Sequence, residues 1–186
     1  TKPDMPYPVQ EIYPALHKNK IVVAGGIYAK PDKSLGITRS VVAYDLATQT
    51  WLDLPQLPEP AHHPMLASVN NKLYAFSGFI VTEAGRWTAS KKVWLLDDAK
   101  SQWRELTNAI MPNAMCETVV MVRGNQVHLA TGRSPQSTAN GQWRDQSDHD
   151  RHLIFDTDTG NWQQGPKTLT ARNSAAAAVV DGKWYI

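Results

Sequence analysis

Two adjacent histidines, His62 and His63, followed at once by Pro64, form the pair in this chain best suited by residue type to chemistry. Imidazole ionises nearest neutrality among the side chains, so either ring suits acid–base work or a ligand contact. In extended backbone, neighbouring side chains point to opposite sides, so the two rings are not expected to grip one metal ion, and we expect no metal site. The plainer expectation is a turn, with one ring at most facing a ligand. Arginine beside an aromatic ring is the second suggestive combination, in Arg86-Trp87 and Trp143-Arg144, with Glu117, Arg133 and Arg172 further along. Guanidinium groups recognise carboxylates and sugars through paired hydrogen bonds and stacking. We therefore take His62, His63, Arg86, Trp87, Glu117, Arg133 and Arg172 as candidate ligand-binding residues. The competing reading is a solvated surface whose arginines tie down neighbouring turns. Nothing in the pattern assigns a catalytic residue.

Two further features are weaker. Residues 145–152 (DQSDHDRH) would align Asp148, Asp150 and His152 on one side if extended. They lack the glycine and spacing of an EF-hand loop and match no zinc signature, so a charged loop is expected. The single cysteine, Cys116, excludes an internal disulfide framework and a cysteine-based zinc site. It reads as a small buried apolar residue.

Composition narrows the partners. A chain of 186 residues with 42% apolar and 19% charged residues has the make-up of a globular protein with one sizeable core. Its mean hydropathy is −0.40. The formal charge of +2 is scattered rather than gathered into a stripe, so no nucleic-acid partner is expected. No stretch approaches the roughly 18 apolar residues of a spanning helix, so no membrane span is expected either. No cofactor is implied. The chain opens at Thr1, and residues 1–8 carry Pro3, Pro6 and Pro8 without the apolar core of a signal peptide. That start points to a processed N-terminus or a piece of a longer chain. The compartment is not set by these features; a soluble protein is expected, periplasmic or secreted if a signal peptide was removed.

What must position the candidate residues is a repeat. Residues 42–51 (VAYDLATQTW), 94–103 (WLLDDAKSQW) and 153–162 (LIFDTDTGNW) each place a tryptophan six positions after an aspartate: Asp45 and Trp51, Asp97 and Trp103, Asp156 and Trp162. Ahead of each lies a pair of short apolar runs separated by a tight turn, the second run ending in glycine: residues 21–26 (IVVAGG), 73–78 (LYAFSG) and 127–132 (VHLATG). Gly26, Gly78 and Gly132 stand 52 and 54 residues apart. Runs of about five residues rich in Val, Ile, Leu and aromatics, bounded by Asn, Gly and Asp, read as strands. Each period thus holds four antiparallel strands, and a fourth copy begins at residues 175–180 and turns at Asp181-Gly182.

A four-stranded meander repeated about every 50 residues is the pattern of a β-propeller blade. Gly25 and Gly26, Tyr44-Asp45 and Trp51 together resemble the kelch repeat in full. Later copies keep only the second glycine, in Ser77-Gly78 and Thr131-Gly132, and carry Leu96 and Phe155 in place of the tyrosine. The expected fold is all-β: a kelch-type propeller of three four-stranded blades and the first half of a fourth, an incomplete ring. Residues 1–10 would form an extended N-terminal segment, with blades at about 11–53, 64–106, 117–164 and 174–186. The remaining blades of a longer chain, six or seven in all by family resemblance, would be its natural partners. The glycines, aspartates and tryptophans of the repeat, Gly25, Gly26, Tyr44, Asp45, Trp51, Gly78, Asp97, Trp103, Gly132, Asp156 and Trp162, are expected to build blades rather than do chemistry.

In such a meander, successive turns fall on alternate edges. The long second-to-third segments, residues 27–39, 79–90 and 134–150, then share one face with the blade-to-blade connections 53–64, 106–117 and 165–173. Long loops on a rigid scaffold concentrate binding residues, and every candidate ligand residue falls in this set except Arg133, which immediately precedes residue 134. The family resemblance implies three activities for that face. One is an interaction propeller holding a protein partner, of the kind some eukaryotic kelch chains carry beside a BTB domain. The second is a sugar enzyme resembling sialic acid mutarotases. The third, a copper radical oxidase, needs a tyrosine one blade after Cys116, and residues 172–174 offer none. The expected function is binding without assignable catalysis, to a protein or a small polar or carbohydrate ligand, with the mutarotase-like enzyme as the alternative.

Overall fold

The computed structural model describes residues 2–83 and 85–186. Three four-stranded antiparallel meanders follow one another along the chain. The first comprises Ala15–His17, Lys20–Ala24, Val41–Asp45 and Thr50–Leu54. The second comprises Met65–Val69, Lys72–Phe76, Val93–Asp97 and Gln102–Glu105. The third comprises Val119–Arg123, Gln126–Ala130, His152–Asp156 and Trp162–Gln164. A two-stranded hairpin, Ala178–Val180 with Lys183–Tyr185, ends the chain. The first two strands of each unit are joined by two-residue turns, and their backbone explains their sequence. Lys18-Asn19, Asn70-Asn71 and Asp181-Gly182 hold both central residues at positive φ, as a type I′ turn requires. In the third meander Gly124 alone does so, in the first central position that a type II′ turn gives to glycine.

The second sheet explains why its strands read as nearly continuous apolar runs. Met65, Ala67, Val69, Tyr74, Phe76, Val93 and Leu95 face the third sheet, where they meet Val127, Leu129, Leu153 and Phe155. Their neighbours Leu66, Leu73, Ala75, Trp94 and Leu96 face the first, against Val22, Ala24, Val41 and Ala43. Side chains alternate across a strand, so a sheet covered on both faces must be apolar at every position. The blade-to-blade connections add Leu57 to one interface and Met111 and Met115 to the other, all buried.

The repeat residues have distinct jobs. Each aspartate closes the turn to the fourth strand: an Asp45 oxygen accepts from the Ala47 and Thr48 amides at 2.9 and 3.1 Å, and Asp156 does the same with Asp158 and Thr159 at 3.0 and 2.9 Å. The Lys20 ammonium and these amides hold the Asp45 carboxyl down to about 2. Trp103 and Trp162 donate their indole N–H to carbonyls in the connection before their own unit, Trp103 to Pro55 at 2.8 Å and Trp162 to Ala109 at 2.9 Å, while Trp51 of the first unit donates to Pro3 in the N-terminal segment at 3.2 Å. Trp103 and Trp162 pack at interfaces between sheets, each with a polar tie, whereas Trp51 packs against the Tyr44 ring of its own sheet.

The glycine that ends the second strand is required by contact as well as by conformation. Gly25 has φ of +64°, and a Cβ there would lie 2.2 Å from the Ala61 carbonyl oxygen, a backbone atom with no freedom to retreat. Ser77 and Thr131, at the same place in the later units, keep the left-handed backbone at 52° and 59°. Gly25→Ala is expected to cost on the order of 3 kcal/mol. Gly160→Ala, with φ of +75° and open space around the Cβ, is expected to cost only about 1 kcal/mol. Urea unfolding midpoints of the two variants measure the difference.

Candidate functional site

The three long second-to-third segments are structured. Each folds into a small antiparallel hairpin: Ile27–Ala29 with Leu35–Ile37, Phe79–Val81 with Trp87–Ala89, and Arg133–Pro135 with Gln146–Asp148. The blade-to-blade connection joins in, since Ala61–His62 pairs with Phe79 and Ile80. Sequence reading took these segments as loops, because three-residue strands among Thr, Ser, Gly and Lys are too short for a period to register. Neighbouring hairpins are also tied together. The Asn140 side chain accepts from the Ala89 amide at 3.0 Å and donates to its carbonyl at 2.9 Å, standing in for a missing strand at that edge.

The adjacent histidines correct the sequence expectation. His63 has φ of 55°, which breaks the extended alternation and turns both rings to one side. His62 Nδ1 and His63 Nδ1 lie 2.7 Å apart. His63 Nε2 contacts the Glu11 carboxylate, which can only accept, so the N–H of His63 is on Nε2. His63 Nδ1 therefore accepts, and His62 Nδ1 donates to it. That leaves a lone pair on His62 Nε2, an atom that is buried without a partner beneath Phe79 and Trp87, whose ring centres are 4.9 and 4.4 Å from that of His62. Burial first, and His63 second, push His62 down to about 3. Burial also lowers His63, against the opposing pull of Glu11 and Glu117.

Glu117 and Arg133 come together beside this pair. Glu117 is 2% exposed; its Oε2 accepts from the Ser174 hydroxyl at 2.8 Å and lies 3.5 Å from Arg133 Nε. The Arg133 guanidinium lies 4.1 Å over the Trp143 ring and 3.8 Å from Asp148. The structure thus groups His62, His63 and Trp87, and beside them Glu117 and Arg133. It sets the other two candidates apart. Arg86 is exposed at a hairpin tip beside Gly141. Arg172 turns its guanidinium to Thr170 and to the Ile186 carbonyl. Asp148, Asp150 and His152 do not share a side: they go to Asn173, Lys167 and His128 respectively. Cys116 is wholly buried, and burial drives its thiol up.

Glu11, Ser174 and Tyr13 escaped the sequence reading. Glu11, His63 and Glu117 each stand 15 residues before the closing glycine of their unit, and all three, with Ser174, have φ between 47° and 62°. The repeat itself could have flagged them as equivalent positions. Tyr13 joins their cluster with its ring centre 5.6 Å from that of His63. Burial first, with the two glutamates, pushes its phenol up to about 12, so it stays a hydrogen-bond donor.

The sheets, their order and the repeated ties now stand beside known proteins. A family model described as Kelch motif matches residues 14–58, and a second of the same description matches 60–108. The chain belongs to the kelch-repeat family. Its fold is the all-β kelch propeller, and a solved structure entitled Structure of YjhT superposes with a TM-score of 0.73 at 15% identity, over 94% of this chain and 57% of that one. Among curated kelch relatives, Kelch-like protein terF of Aspergillus terreus is 24% identical over 97% of this chain and 39% of its own length. Kelch-like protein 40 of Xenopus tropicalis is 30% identical over 61% of this chain and 18% of its own. The kelch chain thus spans well under half the length of these relatives. Among the described residues, no helix is long and apolar enough to cross a membrane.

Proposed function

We propose that this kelch propeller is a binding module that holds a protein partner on its hairpin face. The observation that carries the reading is a groove of about 370 Å³ between the first two hairpins, lined by Tyr28, Lys30, Leu35, Ile37, Val81 and Trp87 among others. Leu35 and Val81 are 53% and 41% exposed there, and Trp143 on the third hairpin is 49% exposed. Apolar and aromatic side chains presented on paired backbone lose little freedom when covered, which favours association. The kelch-like relatives support the reading as a family tendency. Photo-crosslinking tests it: a benzophenone amino acid at Leu35 or Val81 is expected to give a discrete protein adduct in cells. The same group at Leu46, on the opposite turns, is expected to give none. Equal labelling from both faces would contradict the proposal.

A second reading is supported by Glu117, His63 and Arg133: a sugar-acid enzyme resembling sialic acid mutarotases would need a carboxylate-binding arginine beside acid–base groups. Incubation with sialic and uronic acids distinguishes it. Thermal stabilisation together with faster anomer interconversion supports the enzyme, and neither effect supports the interaction module.

A further inference from the structure

The groove between the first two hairpins is bounded by two unpaired strand edges. In the first hairpin Lys30 donates its amide to the Ser34 carbonyl at 2.8 Å and Thr38 donates to Gly26 at 3.1 Å, so residues 28 and 36 also form a hydrogen-bonded pair. The backbone groups of the alternate residues then point away from the hairpin. Ile27 shows this on one side, where it exchanges both of its bonds with Gln10 at 2.9 Å. On the other side the N–H and C=O of Leu35 and Ile37 point toward the groove, and among the described residues they have no hydrogen-bond partner. The second hairpin has the same parity. Ser90 donates to Gly78 and Thr82 to Arg86, so Phe79 and Val81 direct their backbone groups outward; Phe79 meets His62, and Val81 meets no further strand.

The chain itself fills one end of the slot between these edges. Ala61 donates to the Thr38 carbonyl at 3.2 Å and accepts from the Gly26 amide at 2.8 Å, while Ala61–His62 pairs with Phe79 and Ile80. Two residues of strand thus lie between the hairpins and bond to both. Pro60 precedes them, and without an N–H it cannot extend the ladder. Between the second and third hairpins, the edge at Ala89 is closed by the Asn140 side chain. Among the described residues, no side chain caps Leu35, Ile37 or Val81 in this way. An open edge of this kind is where another chain can add a strand.

We propose that the groove takes an extended segment of the protein partner as an added strand, which continues the line of Ala61–His62 and bonds Leu35 and Ile37 on one side and Val81 on the other. This rests on the reading of the hairpin face as a partner-binding surface and specifies how the partner is held. The lining suits a slot against an edge: Leu35 and Ile37 belong to one face of the hairpin, and Tyr28, Lys30 and Gly36 to the other. Alternate apolar side chains of the incoming strand lie against Leu35 and Val81. Lys30 is exposed and makes no ion pair among the described residues, and the nearby Asp32 carboxylate is taken by Ser34. The groove therefore favours a segment that carries an acidic residue.

Hydrogen exchange of the 15N-labelled full chain tests this, with a capped hexapeptide of alternating threonine and valine ending in glutamate as the probe. In the free protein the Leu35 and Ile37 amides are expected to exchange at least tenfold faster than those of Lys30 and Gly36. The peptide is expected to slow both at least tenfold. The same peptide N-methylated at every second residue should bind at least tenfold more weakly. Leu35→Pro, which removes one outward donor and leaves the hairpin ladder intact, should weaken the peptide several-fold, and Leu35→Val should not. Amides already protected in the free chain, no protection on adding the peptide, or equal binding of the methylated peptide would overturn the proposal. Capture of the native partner separates this claim from the one it rests on. A partner lost from Leu35→Asp with Val81→Asp but kept by Leu35→Pro contradicts the added strand alone, and a partner kept by both contradicts the binding face as well.

Discussion

Acidification from pH 7 to pH 4 is expected to destabilise this kelch chain steeply, with the loss beginning as soon as the pH falls below the ordinary imidazole value. Each of the six histidines is held below the ordinary imidazole value, with burial as the first cause every time. A histidine whose folded pKa is depressed contributes stability that is fully present above about 6.5. It is lost as the pH falls toward the folded value, because only the unfolded chain takes up the proton. His62, at about 3, and His149, at about 4, span the whole window. Each fully shifted histidine steepens the profile by about 1.4 kcal/mol per pH unit, so His62 alone accounts for on the order of 4 kcal/mol by pH 3. Asp45 does not contribute in this range, since its stabilising effect is lost only below about 3.8, toward about 2. Urea unfolding at half-unit steps from pH 7.5 to 4 should show a midpoint falling throughout, with a slope of more than one proton. A midpoint that stays level between pH 7 and 5 would contradict this account of the buried imidazoles.

The second large effect is expected at Trp103, the tryptophan that is 6% exposed and packed between the first two sheets. Trp103→Ala removes the ring from that interface and is expected to cost about 3–5 kcal/mol. Trp103→Phe keeps most of the packing but orphans the Pro55 carbonyl, for a loss of about 1–3 kcal/mol. Trp51, whose indole bonds Pro3 in an exposed setting, should lose less than Trp103 on the same truncation to alanine. Chemical denaturation of the four chains ranks these costs, and a Trp51 loss equal to that of Trp103 would show that the ring contributes little beyond its own turn.

The repeat made the sheets legible because its constraints are local. Paired positive-φ turns favour Asn, Asp or Gly, as at five of the six positions with Lys18 the exception, the aspartate closes the turn to the fourth strand, and Trp103 and Trp162 reach back to the connection before their unit. The candidate site was legible only in part. His62, His63, Glu117 and Arg133 were picked by residue type, yet their mutual arrangement depends on the left-handed backbone at His63 and Glu117. Residue preference announces that backbone only weakly, since histidine is merely enriched there among residues that rarely adopt it and glutamate is not. Glu11 and Ser174 look unremarkable singly and gain meaning only as members of one position repeated around the axis. Arg86 and Arg172 illustrate the converse: a suggestive residue type at a turn, with a guanidinium directed elsewhere.

The partner-binding claim meets its most direct test in a comparison of two variants of the intact protein, each carrying two charges on one face. Leu35→Asp with Val81→Asp alters the hairpin groove, and Leu16→Asp with Leu46→Asp alters the opposite turns, where both leucines are also exposed. Both variants should unfold at nearly the wild-type urea midpoint. In quantitative affinity capture from the native cell, the account predicts a protein recovered equally by the wild type and the opposite-face variant, and lost from the groove variant. Recovery undiminished by the groove substitutions, or lost only on changing the opposite face, would contradict it.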